Sequence, residues 1–384
     1  MFDLNDQQKE TRAWARQFAE SEVAPRAAAM DRSGVYDRAL IDAMFDAGLM
    51  ATLIPKEHGG RGLTTLEYAT CVEELARADA STALVMSIHS SLVTALVAVY
   101  ASDEMKAALL PELASGKVGA FALTEEDPSA PTRAPSSGDS FMAAGTKMYI
   151  TNGPIADYIV LFAITGETEI EKDGKITKRD EVSALLVDAD HAVGVERTNL
   201  EGKVGLTAAP VGRLVFRDIE VPASHLIGKR GAGFRMAMQV LDAGRIGAAA
   251  MAVGLGQAAL EAARSYATSR VTQGRPIAKF QAIQLMIAEA ATRLEAARAL
   301  TYQAASAHDR GEPISELAAM SKLFASETAS FVASKALQVH GGSGVVRDLH
   351  PVERYFRDAR VLEIIEGTSE IQKLVVAGHE LRGG

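Results

Sequence analysis

Near its C-terminal end the chain reads Glu363-Ile364-Ile365-Glu366-Gly367-Thr368-Ser369-Glu370. Glu366 follows two aliphatic residues and precedes glycine. A carboxylate against an apolar wall has its charged form disfavoured and its pKa raised. That suits a general base working near neutral pH. Gly367 lets backbone approach a ligand closely. A second reading makes Glu366 a solvated residue before a turn. Thr368 or Ser369 would then cap a helix carrying Ile371, Leu374 and Val375. On these residues alone the second reading is the simpler.

Other segments offer less chemistry. Gly254-Leu255-Gly256 lies in an Ala-rich helical run and not after a strand. A dinucleotide fingerprint needs a strand, a tight turn and a helix N-terminus, so these glycines read as helix packing. Gly341-Gly342-Ser343-Gly344 follows a predicted helix over 334–340, and its local reading is a C-cap and turn. The run Gly341 to Val345 ends in valine and misses the nucleophile-elbow pattern. The eight histidines show no metal-ligand spacing, and no metal site is expected. A single cysteine, Cys71, excludes a disulfide within the chain and reads as a small buried apolar residue.

These residues need elements to hold them. The chain has 384 residues, 48 % hydrophobic and 23 % charged, which predicts a globular protein of more than one unit. A net charge of −9 argues against nucleic acid as a partner. The N-terminus lacks the basic start and apolar run of a secretory signal. Apolar stretches such as Leu92 to Ala101 fall short of the ~20 residues that span a membrane. A cytoplasmic location is therefore expected, or a mitochondrial matrix one after removal of a transit peptide.

Up to Lys117 the texture is helical. Gln7 to Val23 reads as a helix that stops before Pro25, and Arg38 to Leu49, Leu66 to Arg77 and Ala83 to Tyr100 continue the pattern. From about Val118 to Val221, short β-prone runs at Tyr158–Phe162, Val182–Val187 and Leu214–Phe216 are separated by turns at Asn152-Gly153-Pro154 and Asp173-Gly174. Pro128 to Gly138 has loop composition. From about Gly233 helices return, with Ile283, Ile287, Ala290, Leu294 and Ala297 marking one buried face and Met236 to Tyr266 forming one long helix. The expected fold is α+β and multidomain. It comprises a helical N-terminal domain (1–117), a central β-barrel or sandwich (118–224) and a C-terminal four-helix bundle (225–384).

Several motifs in order resemble the acyl-CoA dehydrogenase family over nearly the whole chain. The run Tyr355 to His379, with Ile-Ile-Glu-Gly-Thr-Ser-Glu at its centre, looks like the family signature. Also similar are Pro55-Lys56-Glu57-His58-Gly59-Gly60, Phe121-Ala122-Leu123-Thr124-Glu125, Gly145 to Gly153, Leu241-Asp242-Ala243-Gly244-Arg245-Ile246-Gly247 and Gln338-Val339-His340-Gly341-Gly342. The likeness is greatest to the short-chain members. Three places differ from the family pattern. The loop after Thr124 lacks Gly-Ser-Asp, Gln273 stands where an aromatic is usual, and Ile365 replaces a tyrosine.

The resemblance implies a homotetramer holding FAD non-covalently, and oxidation of an acyl-CoA to a trans-2-enoyl-CoA. It makes Glu366 the catalytic base that takes the α-proton, while the β-hydrogen leaves as hydride to flavin N5. Some relatives carry the base just before the residue matching Arg245; here that position is Gly244. FAD contacts would come from Phe121, Leu123, Thr124, Tyr149, Ile150 and Thr151 around the flavin, with Thr368, Ser369 and Glu370 beside the cofactor. Arg270, Gln281, Gln338, Val339, His340, Gly341 and Gly342 would hold its pyrophosphate and adenylate end across a subunit interface. Asp242, Ala243, Gly244, Arg245 and Gly367 would line the acyl-CoA site. Electron-transfer flavoprotein would be the acceptor. An acyl-CoA oxidase, a non-oxidative lyase and a non-catalytic acyl-CoA or FAD binding protein remain alternatives on the same scaffold.

Overall fold

The computed structural model describes residues 3–172 and 175–381, so the turn expected at Asp173-Gly174 lies outside the described residues. The N-terminal part is helical: α1 Asp6–Phe18, α2 Ala24–Ser33, α3 Arg38–Asp46, α4 Thr65–Ala78, α5 Ala80–Ser87, α6 Ala95–Tyr100 and α7 Asp103–Ser115. Asn5 and Thr64 start α1 and α4 with capping boxes, closed by Gln8 and Glu67 three residues on.

The helix expected to stop before Pro25 does not stop there. A π-helical turn at Ala19–Val23 joins α1 to α2, and Pro25 falls in the first turn of α2. Proline lacks a donor and crowds the carbonyl four residues back. The wider turn, in which Ala24 N–H reaches Ala19 O, makes room for it. A second π-helical turn, Ile88–Thr94, joins α5 to α6.

Strands β1 Gly119–Ala122, β2 Ser136–Ser137, β3 Ser140–Thr151, β4 Tyr158–Lys172, β5 Lys175–Asp188, β6 Val195–Asn199, β7 Val211–Pro222 and β8 Leu226–Ile227 follow. They form two four-stranded sheets, ordered β1-β4-β5-β8 and β2-β3-β7-β6. Neither sheet closes into a barrel. Alternate residues from both, among them Ile159, Leu161 and Leu185 facing Phe141, Leu214 and Phe216, share one apolar core. The sandwich alternative is therefore the one observed.

The C-terminal part contains α8 Gly233–Ser269, a short ribbon β9 Val271–Thr272 and β10 Arg275–Pro276, then α9 Gln281–Asp309, α10 Ser315–His340, α11 Val352–Leu362 and α12 Ser369–Glu380. Helices α8, α9 and α10 pack on one another, α11 lies against α8 and α10, and α12 against α10. Of the expected face of α9, Ala290, Leu294 and Ala297 are fully buried. Helix α4 also crosses α8, which ties the N-terminal helices to the bundle.

The expectation about apolar length needs correcting. Among the described residues, two helical stretches, Ala80–Tyr100 and Gly233–Ser269, are long and apolar enough to cross a membrane. Sequence reading missed the first because polar Ser87, His89, Ser90 and Ser91 interrupt it. In each, 83 % of the apolar window is buried inside the protein, as in a core helix.

Candidate active site

Glu366 sits between α11 and α12, in a turn that neither helix includes. Its backbone is left-handed, with φ +55°, and Gly367 follows at φ +90°. A non-glycine residue in that region is uncommon and marks a position held by its surroundings. Gln372 Nε2 donates to Glu366 O at 3.2 Å and to Gly367 O at 2.9 Å. Lys322 Nζ, from α10, donates to Gly367 O at 2.8 Å. Thr368 caps α12 by accepting from Ile371 N–H. The capping read from the sequence is thus present, and Glu366 stands outside both helices.

The turn aims the carboxylate inward. Among the described residues, Glu366 Oε2 is buried without a hydrogen-bond partner. A Cβ built on Gly244 of α8 would lie 3.0 Å from that oxygen and 2.8 Å from Leu92 Cδ2. Glu366 therefore fills the space above Gly244. Burial pushes its carboxyl up to about 7, opposed by the positive charges of Lys322 and then Arg245. Among the described residues, the Glu366 backbone N–H donates to no other group.

Around it, Arg245 Nη1 donates to Asp242 Oδ1 at 2.5 Å, and Ser315 Oγ donates to the same oxygen at 3.3 Å. Burial raises the Asp242 carboxyl, with Arg245 opposing. Arg245 Nε and Ser369 Oγ are buried with no partner. One turn along α8, a Cβ at Gly247 would lie 2.7 Å from both Tyr68 OH and Ser87 Oγ. Those two hydroxyls are themselves hydrogen-bonded at 2.9 Å. Ala243 is half-buried beside Gly244. The structure thus gathers Glu366, Gly367, Asp242, Gly244 and Arg245, with Ser369 at the head of α12.

A second group lies where the β domain presents its edge. The β3–β7 ladder breaks between Lys147 and Ile150. The break leaves Tyr149 at φ +60° and 67 % exposed. Thr124 is exposed and its carbonyl accepts from Met148 N–H at 3.0 Å, while Thr151 is half-buried at the end of β3. Ile150 is buried beneath them, and Phe121 packs on Phe162 with ring centroids 4.7 Å apart. Buried Lys147 donates to Leu123 O at 3.1 Å and pairs with Glu125. The loop that departs from the family pattern is closed by polar groups of its own and by Arg213 of β7. Thr132 Oγ1 donates to Glu125 at 2.8 Å, Arg213 grips Glu126 with two bonds, and Ser129 folds onto Asp127.

The third group is remote. Gln338, Gly341 and Gly342 are exposed at the end of α10, with Val339 and His340 buried behind them. His340 stacks on Tyr266, centroids 4.3 Å apart, near the end of α8 where Arg270 follows. Gln281 opens α9 and is exposed. At 1.5 Å per residue, the helix puts Arg270 about 39 Å from Gly244. In one protomer this group and Glu366 do not share a site.

Sequence reading missed Lys322, Gln372, Tyr68 and Leu92. Lys322 carried a signal: it stands four residues after Ala318 and three before Ala325, both buried, and so on the inner face of α10. A lysine there needs a reason.

Comparisons with known proteins show the family. The N-terminal, middle and C-terminal domains of acyl-CoA dehydrogenase match residues 5–117, 120–219 and 231–381. The mitochondrial short-chain specific acyl-CoA dehydrogenase of Bos taurus is 41 % identical, over 99 % of this chain and 91 % of its own. The structure of butyryl-CoA dehydrogenase from Megasphaera elsdenii superposes with a TM-score of 0.93 at 36 % identity, covering 100 % of both chains. A chain from a structural study of the electron transferring flavoprotein of Acidaminococcus fermentans superposes equally, TM-score 0.93, at 39 % identity and 100 % coverage of both. With three domain matches in order and full-length relatives near 40 % identity, the chain belongs to the acyl-CoA dehydrogenase family of FAD-dependent oxidoreductases.

Proposed function

We propose that this protein oxidises a short-chain acyl-CoA to the trans-2-enoyl-CoA, with Glu366 removing the α-proton. One observation carries the reading: a buried, unpartnered carboxylate oxygen held over Gly244 by a strained turn. A thioester α-C–H is a weak acid, so its removal needs a base and a stabilised enolate. Glu366 Oε2 takes the proton, leaving the C–H electron pair to the forming α,β double bond. The free backbone N–H of Glu366 is available to the thioester oxygen, where negative charge develops. Burial excludes water from the carboxylate and keeps it basic.

The residues present fit FAD. The broken ladder at 148–149 presents Tyr149 and backbone, Thr124 and Thr151 flank it, and the buried Ser369 Oγ lacks a partner. Bound FAD supplies the acceptor for the β-hydrogen and its electron pair. The roughly 39 Å that α8 puts between Gly244 and Arg270, beside which the 338–342 group lies, supports a cofactor shared between protomers of a tetramer, with Arg270, Gln281 and Gln338 serving the neighbour's FAD. Electron-transfer flavoprotein then reoxidises the enzyme.

The visible spectrum tests this. Purified protein is expected to show a flavin spectrum that bleaches anaerobically with butyryl-CoA and less with longer chains. A protein that cannot be loaded with FAD, or a flavin that no acyl-CoA bleaches, refutes the reading. Rapid peroxide formation in air would instead mark an oxidase.

A pH dependence follows. The base acts only when ionised, so kcat is expected to fall as pH drops through about 7, with a single acidic limb. A profile flat down to pH 5 would contradict the assignment.

A further inference from the structure

Lys322 is 0 % exposed in the middle of α10. Burying an ammonium is costly unless it is paired. Among the described residues no carboxylate stands at ion-pair distance from its Nζ. Its hydrogen bond goes instead to the backbone carbonyl of Gly367, at 2.8 Å, next to the base. Gln372 is also fully buried and donates to that carbonyl and to Glu366 O. Two buried side chains from two helices therefore fix one left-handed peptide. An apolar residue would fill α10 at lower cost, so the charge has a use beyond packing.

The charged and titratable groups facing this point can be named. Arg245 and its partner Asp242 come from α8, the Tyr68 hydroxyl from α4, Glu363 from the segment before the base, and Glu370 from the first turn of α12. Arg245 is engaged by Asp242, whereas Lys322 has no such partner. Of the positive groups acting on Glu366, Lys322 is the stronger.

We propose that Lys322 is a positioning residue for the base: its ammonium holds the Gly367 carbonyl, and its charge favours the ionised form of Glu366. The proposal rests on Glu366 being the base. Burial pushes the Lys322 ammonium down, to about 8, although the nearby carboxylates, Glu366 first, oppose it. The two groups thus support each other's charged forms near neutral pH.

The experiment is the pH profile of kcat for Lys322→Met, measured on flavin-loaded enzyme with butyryl-CoA. The expected result is a kcat lower by ~10-fold or more at pH 7. The acidic limb is also expected to move about one pH unit upward, because the base has lost the stronger of the two positive charges acting on it. A merely structural lysine would lower thermal stability and leave the limb in place. A folded, flavin-loaded Lys322→Met enzyme with an unmoved limb overturns the proposal. Should that variant not fold, Gln372→Leu decides, since it removes the other tether on the same carbonyl; unchanged kcat there also overturns it. Glu366→Gln separates the two levels. If that variant stays active the base reading itself fails, and if it is inactive while Lys322→Met is unaffected only the present proposal fails.

Discussion

Glu366→Gln is expected to lose about 10³-fold in kcat with a short-chain acyl-CoA while keeping its flavin and its fold. General-base removal costs on the order of 10²–10⁴-fold, and nothing else here can replace the base. Asp242 is held by Arg245, Tyr68 is pushed up to about 12 by burial, and Gly244 has no side chain. The fold is expected to tolerate the change because Oε2 makes no hydrogen bond to lose. An amide of the same size also removes a buried charge, which costs free energy where it stands. About 10³-fold corresponds to ~4 kcal/mol of barrier. Single-turnover bleaching of the flavin reads the chemical step directly, and absorbance near 450 nm, relative to protein, reads its retention. A variant that bleaches within a few-fold of the parent would remove Glu366 from the chemistry.

Much of this site was legible in the chain, for different reasons. The Glu366-Gly367 pair stood out because a carboxylate after two isoleucines is a recognisable electrostatic oddity. It could not be separated from a plain helix cap by local residues, since Thr368 does cap α12. What favours the proposed base over the plain cap is the partnerless oxygen facing α8, a contact 122 residues away in the chain at Gly244. Lys322 and Gln372 stayed unread because their partners are backbone carbonyls. A carbonyl has no residue type, and so leaves no mark in a sequence. The Tyr68–Ser87 pair escaped for a related reason: hydroxyls in apolar helices look like tolerated polar residues until something is seen to pack on them.

The fold shows the same division. Periodicity located the long helices and the β segment, because burial of one face imposes it. It misplaced the end at Pro25, where a π-helical turn absorbs the proline without ending the helix. It left barrel and sandwich undecided, because both alternate inward and outward residues and differ only in which edges pair.

The glycines of α8 connect sequence and fold most firmly, and Gly254→Leu is expected to be severely destabilising. Gly254-Leu255-Gly256 had the composition of a nucleotide loop and the context of a packed helix. In the structure a Cβ at Gly254 would lie 2.1 Å from Glu73 O and 3.0 Å from Ala76 Cβ, both on α4. Overpacking usually costs about 1–3 kcal/mol, where neighbours can shift. Here the obstacle is backbone, and α4 is pinned at that residue. The Glu73 side chain is 1 % exposed and bonded by Arg12 at 2.9 Å, Arg298 at 3.0 Å and Tyr302 at 2.7 Å. Moving α4 away breaks those bonds and leaves a buried carboxylate short of partners, which is itself strongly destabilising. The combined cost is expected to exceed about 4 kcal/mol, giving either no soluble protein or an apparent Tm lower by more than about 5 °C. A calorimetric scan of Gly254→Leu beside the parent checks this. A Tm within two or three degrees would mean that α4 and α8 are not in contact at Gly254. The docking of the N-terminal helices on the bundle, which brings Leu92 near Glu366 and Tyr68 and Ser87 to Gly247, would then have to be redrawn.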